Sequence, residues 1–332
     1  MFLILSLSAC ENTDIIAKNN VSDPISKSDF SLDTICTITV YSKNDEKLID
    51  ESFKLISQYE AMLSRTVADS DISRINKANG RAVSVSNDTI EVIEKANYYS
   101  EKSKGLFDIS IGAITSKWDF SNASSRTVPN ENEILKLLPS VDYKNIHINK
   151  NNIVLITPDT MLDLGAIAKG YIADKVANFL IENDVDAALI DLGGNIVTIG
   201  TKAEGDNWNI GVRNPLPQDD GDVMSMIGFV EVEGRKSIGT SGTYERYFEQ
   251  DGIRYHHILD TKTGYPASSD LAGVTVITDE SVDGEGYTTI CILLGSEAAV
   301  GFLEENNIDA VLVKEDGTIL TTGLIKFTPL EQ

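Results

Sequence analysis

The sequence predicts an α+β fold, and three observations carry the prediction. Stretches of strand character follow one another through the second half instead of alternating with helices, which argues against a doubly wound sheet. Apolar residues recur at helical spacing in segments of the first half. After residue 30 no Pro-, Gly- or Ser-rich linker divides the chain, so the body reads as one compact unit with at most two sub-lobes.

The elements follow in order. Residues 1–10 are an apolar run ending in Leu7-Ser8-Ala9-Cys10, after which the chain turns polar at Glu11-Asn12-Thr13-Asp14. Small residues closing an apolar run mark a signal peptide. The tetrapeptide resembles a bacterial lipobox, which makes Cys10 the expected site of lipidation. The run is short and no Lys or Arg precedes it, as expected of a signal peptide that starts further upstream. Ten residues are too few to span a bilayer as a helix. Residues 11–30 are polar and read as a flexible tether, leaving 31–328 as the folded domain.

Residues 34–41 alternate like a strand. A helix is expected over 45–63, where Leu48, Phe53, Leu55, Ile56, Tyr59 and Met62 share a face, and another over 88–104 with Gly105 as its stop. A third covers 131–138. Residues 146–148 and 153–156 form a hairpin around Asn149-Lys150-Asn151-Asn152. The segment 188–199 reads as a strand broken by Gly193-Gly194, followed by strands at 208–212, 228–232 and 273–277. Helices over 287–294 and 297–305 and a strand at 310–313 complete the pattern.

Composition excludes some functions. The 332 residues carry 51 acidic and 28 basic side chains, a net charge of −23. A nucleic-acid binder needs a basic face to displace counterions, and no polybasic patch for anionic lipid is present either. Of the three cysteines, Cys36 and Cys291 lie in apolar stretches and read as buried thiols. None has zinc spacing.

Four segments place polar residues where the backbone is freest. Leu162-Asp163-Leu164-Gly165-Ala166-Ile167-Ala168-Lys169-Gly170-Tyr171, followed by Asp174, reads as a strand end running into a helix start. Such a junction offers amides to an anion, and Lys169 adds a charge for phosphate. It lacks Walker A spacing, and an ordinary turn with an exposed lysine fits equally well. Asp191-Leu192-Gly193-Gly194-Asn195 suggests a bulge, a hairpin or a ligand's close approach to the backbone.

The third segment runs Thr240-Ser241-Gly242-Thr243-Tyr244-Glu245 and then Arg254 to Pro266, with two of the chain's three histidines at 256 and 257. A strand sends neighbours to opposite faces, so at most one histidine enters a given site. Asp260 is close enough in sequence to pair with His257, and that pair could shuttle a proton from a hydroxyl nucleophile; a structural histidine is the alternative. The fourth segment, Asp283-Gly284-Glu285-Gly286-Tyr287-Thr288-Thr289, gathers oxygen donors suited to Mg²⁺ at a helix start. Acidic residues also favour helix N-termini without any metal.

Together and in this order, the segments resemble the ApbE family of Mg²⁺-dependent FAD:protein FMN transferases. The family's Asp-Leu-Gly-Gly-Ile-Ala-Lys-Gly is similar to 163–170, with Ala166 for the second glycine. Its Gly-Gly-Asn corresponds to 193–195 and its Thr-Ser-Gly-x-Tyr-Glu to 240–245. Its His-His-Ile-x-Asp-Pro-x-Thr-Gly corresponds to 256–264, with Thr261 for proline. Upstream, 105–110 resembles its Gly-x-Phe-Asp segment and 70–76 its Ser-x-x-Ser-x-x-Asn segment. The likeness spans roughly 30 to 325.

The resemblance implies one body of mixed, mainly antiparallel sheets with flanking helices. It implies that the Ala166 carbonyl, Glu285, Thr288 and Thr289 hold Mg²⁺ or Mn²⁺ against the FAD pyrophosphate. Leu32, Asp71, Ile72, Ser73 and Asp108 are expected at the flavin and adenosine sites. Asp163, Lys169, Asn195, Ser241, Gly242, His257 and Thr263 are expected to contact the dinucleotide. His257, helped by Asp260, is expected to take the proton of an acceptor threonine, with AMP leaving. The acceptor is expected to be an exported protein such as a redox-complex subunit, and the enzyme to be extracytoplasmic and anchored by lipid alone.

Two departures stand out. Glu285 replaces the family's usual Asp, and one extra methylene moves a carboxylate by about 1.5 Å. The family's Met-Gly-Thr reads Leu32-Asp33-Thr34 here. Two other readings fit the sequence: an FAD pyrophosphatase with water as nucleophile, and a non-catalytic FAD-binding lipoprotein.

Overall fold

The structure is a computed structural model and describes residues 24–41, 46–118, 120, 126–155, 157–202, 205–216 and 225–330. The signal segment, Cys10 and the tether up to residue 23 lie outside the described residues.

The first elements are β1 (Ile25–Ser31), β2 (Thr34–Val40), α1 (Glu46–Leu63), α2 (Asp71–Asn76), β3 (Val83–Ser84) and α3 (Asn87–Lys102). Next come α4 (Gly112–Trp118), α5 (Glu131–Leu137), β4 (Ile146–Asn149), β5 (Asn152–Leu155), α6 (Ala168–Glu182), β6 (Ala188–Leu192) and β7 (Ile196–Ile199). The rest comprises β8 (Trp208–Arg213), β9 (Met226–Val232), β10 (Lys236–Gly242), β11 (Tyr247–Gln250), β12 (Ile253–His256) and β13 (Leu271–Thr278). Then follow α7 (Ser281–Leu294), α8 (Ser296–Glu305), β14 (Asp309–Lys314), β15 (Ile319–Thr322) and β16 (Phe327–Pro329).

An eight-stranded sheet in the order β1-β2-β6-β7-β10-β13-β14-β15 organises the body, and every neighbouring pair is antiparallel. Side chains alternate across it, as the two-residue period of a strand requires. Ala310 and Leu312 of β14 enter one core, with Ile56, Val92, Val176 and Ile290 from helices α1, α3, α6 and α7. Val311 and Val313 point to the opposite face and join Trp208 and Val230 of the small sheet β16-β9-β8. A third, aromatic cluster ties Trp118 of α4 and Ile134 of α5 to Phe248 of β11. The α+β expectation holds, with antiparallel sheets and flanking helices in one body.

Some boundaries differ from the sequence reading. β1 begins at Ile25, inside the range expected to be tether, and forms a hairpin with β2. Its two turn residues, Leu32 and Asp33, have φ of 56° and 58°, the left-handed geometry of a tight hairpin. The run 188–199 is a hairpin, β6 and β7, turning through Gly193 and Gly194 at positive φ. β10 carries Thr240, Ser241 and Gly242 in the middle of the large sheet and was not anticipated as a strand.

The helix expected from residue 287 begins at Ser281. Gly286 falls outside the helix expected from sequence because glycine disfavours helix interiors, but packing requires it here. A Cβ on Gly286 would stand 2.7 Å from the Tyr99 ring, and Gly284 lies against Gly239 of β10.

Candidate active site

Three distant segments fix the loop that leads into α6. Asn76 closes α2 and grips Leu162 twice, donating from Nδ2 to its carbonyl (2.9 Å) and accepting its N–H at Oδ1 (2.7 Å). The N–H of Asp163 donates to the Ile109 carbonyl at 2.8 Å, and that of Gly112 to the Met161 carbonyl at 2.9 Å. No strand runs into this loop, contrary to expectation; Met161 makes only an isolated bridge to Ile111. The loop delivers Ala166 and then α6, whose N-cap, Ile167, offers no side-chain oxygen. The first turn of α6 therefore presents its positive dipole end without a local side-chain cap, while the Ala168 N–H donates to the Leu164 carbonyl at 2.8 Å.

The start of α7 abuts this point. A Cβ on Gly170 would stand 2.5 Å from the Ser281 carbonyl oxygen, so only glycine permits the approach. Asp174, one turn further along α6, accepts the N–H of Ser281 at Oδ1 and of Val282 at Oδ2, both at 2.9 Å. It caps α7 from another helix, since Glu280 at the N-cap does not. Arg235 stands 3.1 Å from the same carboxylate. Burial raises the Asp174 carboxyl above the ordinary range, against the pull of those amides.

So placed, Glu285 points at the start of α6. It is buried, with Oε1 3.7 Å from Lys169 Nζ and 3.3 Å from the donating Nδ2 of Asn195. Its Oε2 has no hydrogen-bond partner. Burial raises its carboxyl, while Lys169, the Gly170 amide and Asn195 favour the charged form. Asn195 also accepts from Ser281 Oγ at 2.8 Å, so its side chain orients Glu285. Thr289 lies on the face of Glu285, four residues on, and is half-buried. Thr288 is fully buried; its hydroxyl donates back to the Gly284 or Glu285 carbonyl and accepts from Ser241 Oγ at 2.9 Å. Of the two threonines, Thr289 has the freer hydroxyl. Gly242 is buried against the Tyr244 ring.

His256 and His257 take the opposite roles expected of strand neighbours. His256 ends β12, buried, with Nε2 3.1 Å from the Ala267 carbonyl and Nδ1 accepting the Ile258 N–H at 3.3 Å. Those bonds fix a neutral structural histidine. His257 is half-buried, and its Nδ1 is enclosed without a partner. Its pKa is pushed down to about 3, by burial first and then by Arg246, His256 and Lys169. The expected pairing with Asp260 does not form. Asp260 Oδ1 accepts the Lys262 N–H at 2.8 Å, and its carbonyl accepts from Thr263 and Gly264. That carboxylate is drawn into its own tight turn, as Asp commonly is. Thr263 sits exposed in the same turn, accepting the Tyr265 N–H at 3.2 Å.

The other expected dinucleotide contacts are held by local bonds. Asp71 Oδ2 accepts from the Ser86 N–H (2.9 Å) and the Thr89 hydroxyl (2.7 Å), anchoring the start of α3. Ile72 is wholly buried, and Ser73 is buried with its hydroxyl donating to the Val67 carbonyl. Asp108 accepts from the N–H and hydroxyl of Ser110 and from the Tyr143 N–H, and burial raises its carboxyl. Asp163 accepts from Gly165 N–H and Thr115 Oγ1 and pairs with Arg65 at 2.9 Å. Leu32, in the β1–β2 turn, packs partly buried against the main core, and Thr34 lies against Gly193.

The sequence reading missed Asn76, Ser281 and Asp191 as parts of the site and gave Asp174 no role. Asp191 accepts the Gly194 N–H at 2.7 Å, and burial raises its carboxyl while Lys169 opposes. No local pattern could have revealed a cap 107 residues away in sequence.

An all-oxygen donor set, with one buried carboxylate oxygen left unpartnered, fits a hard cation better than a soft one. Among the described residues, no three His, Cys, Asp or Glu side chains cluster as a metal site. Two open depressions, of about 420 Å³ around Asn207 and about 690 Å³ around Phe53, share no residue with this cluster.

Comparison with known proteins identifies the family. A family model described as the ApbE family matches residues 32–312. A Klebsiella pneumoniae protein named FAD:protein FMN transferase is 37% identical over 300 residues, covering 89% of this chain and 91% of the relative. A Treponema pallidum protein of the same name is 34% identical over 314 residues, covering 88% and 84%. Among solved structures, a Thermotoga maritima protein described as an ApbE protein superposes with a TM-score of 0.83 at 28% identity, covering 90% of this chain and 97% of the other. A Vibrio cholerae flavin transferase described as ApbE gives a TM-score of 0.80 at 26% identity, covering 90% and 96%.

Proposed function

The chain belongs to the ApbE family, and from that membership we propose how this FAD:protein FMN transferase works: it uses a divalent cation to move FMN from FAD onto a threonine hydroxyl of an acceptor protein. The threonine oxygen bonds to the FMN-side phosphorus, the pyrophosphate P–O bond breaks, and AMP leaves. This is phosphoryl transfer, in which positioning and charge supply most of the rate gain.

His257 is neutral at physiological pH because burial and its cationic neighbours oppose protonation, so its ring can accept the threonine proton. Asp260 takes no part in that step. Lys169 and the positive end of the α6 dipole draw the anionic pyrophosphate to the helix N-terminus. Asn195 and Asp174 hold Glu285 and its helix in place.

Glu285, Thr289, Thr288 and the Ala166 carbonyl would hold Mg²⁺ or Mn²⁺. Such an ion supplies charge neutralisation to the phosphate oxygens. Glu285 Oε2, buried without a partner beside Lys169, is the observation that supports this assignment.

The acceptor we propose is an exported redox protein, met by an enzyme anchored outside the cytoplasm through Cys10. No described helix is long and apolar enough to cross a membrane. The test pairs the protein with FAD and an acceptor domain carrying either threonine or valine at the target position, with Mg²⁺ or with chelator. Intact mass should show one FMN added only to the threonine acceptor and only with metal. Labelling of the valine acceptor, or labelling in chelator, contradicts the proposal.

A further inference from the structure

We propose that Arg246 is a substrate-binding residue that grips the pyrophosphate of FAD beside His257, an inference that rests on the transferase reading above. β11 and β12 pair antiparallel with Tyr247 opposite His256. The next position beyond the paired strands is occupied by Arg246 and His257, and the His257 N–H donates to the Arg246 carbonyl at 3.0 Å. Residues directly opposite in an antiparallel pair project to the same face with Cβ atoms about 5.5 Å apart. His256 faces the interior, so Arg246 and His257 share the other face.

The Arg246 side chain is also exceptional in having nothing to hold. Arg65, Arg74, Arg126, Arg235 and Arg254 make ion pairs or hydrogen bonds. Arg81 donates to the Ala78 carbonyl, and Arg213 lies over the Tyr244 ring. Among the described residues, Arg246 is the one arginine whose side chain makes no hydrogen bond, ion pair or ring contact. The chain as a whole carries a net charge of −23. An exposed guanidinium left unpaired in such a chain, next to the proton acceptor, is suited to a ligand that brings its own negative charge.

Its field reaches both His257 and Glu245, as does that of Lys169. The two cations therefore act on the same space from different elements, α6 and the β10–β11 connection. A pyrophosphate between them would be held by a point charge on one side and a planar fork on the other. An acidic side chain on the acceptor is the competing ligand. The shared field with Lys169, which stands at the phosphate-binding helix start, favours the nucleotide.

The test measures equilibrium binding to the full chain without acceptor, using FAD, ADP and the phosphate-free riboflavin. Arg246→Gln should weaken FAD and ADP by about tenfold, the worth of a charge-assisted contact, and leave riboflavin unchanged; Arg246→Lys should recover part of the loss. Two results overturn the assignment: unchanged FAD and ADP affinity with a raised KM for acceptor, which moves the contact to the acceptor, or equal losses for riboflavin, which marks a structural effect. Binding is read without turnover. Failure of the transferase reading would show separately, as a wild-type protein that binds FAD but transfers nothing.

Discussion

Lys169 and Glu285 meet where the N-termini of two helices converge, with the ammonium 3.7 Å from one oxygen of a buried carboxylate whose other oxygen has no partner. That arrangement serves a ligand at the expense of stability, because a buried, half-satisfied charge is costly to keep. Glu285→Gln should therefore raise the melting temperature while lowering Mg²⁺ affinity and transfer. The loss should exceed the roughly 10–100-fold that removing a supporting group costs a metal site. Calorimetry and metal titration on the same sample check both halves; a destabilised variant that still binds metal normally contradicts the account.

Asp174 should behave in the opposite way. Asp174→Ala strips two amides of their acceptor and leaves Arg235 without its carboxylate. The expected cost is about 3 kcal/mol in urea unfolding. Because α7 carries Glu285 and both threonines, Mg²⁺ affinity should fall in the fraction that stays folded.

Gly286→Ala tests why a glycine-rich stretch is helical. Propensity alone favours alanine by about 1 kcal/mol. The Tyr99 ring stands 2.7 Å from the added carbon, is buried, and donates to Asp283 at 2.6 Å, so it has little room to yield. Overpacking of this kind costs about 1–3 kcal/mol, so the variant should be less stable than wild type. A more stable variant would mean that propensity decides the segment.

His257 sets a pH dependence whose sign follows from its lowered pKa. Between about 3 and the ordinary 6.5 the unfolded chain binds a proton that the folded chain refuses. Stability attributable to this ring is therefore complete above about 6.5 and is lost as pH falls towards 3. His257→Gln should remove that slope, so wild type should lose stability relative to the variant between pH 7.5 and 5.5 in chemical denaturation. The same variant should lose transfer by about 10²–10⁴-fold, the usual worth of a proton acceptor.

The sequence reading succeeded where chemistry is local. The order of the Gly-containing segments pointed to the family, and helical spacing found α1 and α3 within a few residues. It failed where a residue answers to a distant partner. Gly286 fell outside the expected helix because the Tyr99 ring that requires it is far away in sequence. Asp260 looked like a partner for His257 at a separation of three residues, but an Asp followed by Thr-Lys-Thr-Gly satisfies itself in a turn. Asn76 and Asp174, which fix the two helix starts, act across 86 and 107 residues.

A single-turnover count with enzyme, FAD, Mg²⁺ and a threonine acceptor, recording AMP, free FMN and FMN-linked acceptor together, separates transfer from hydrolysis. AMP and linked acceptor should appear in equal amounts, with free FMN absent. AMP matched by free FMN over an unmodified acceptor would show a pyrophosphatase, and FAD that stays bound and intact would show a carrier; either contradicts the proposed transfer.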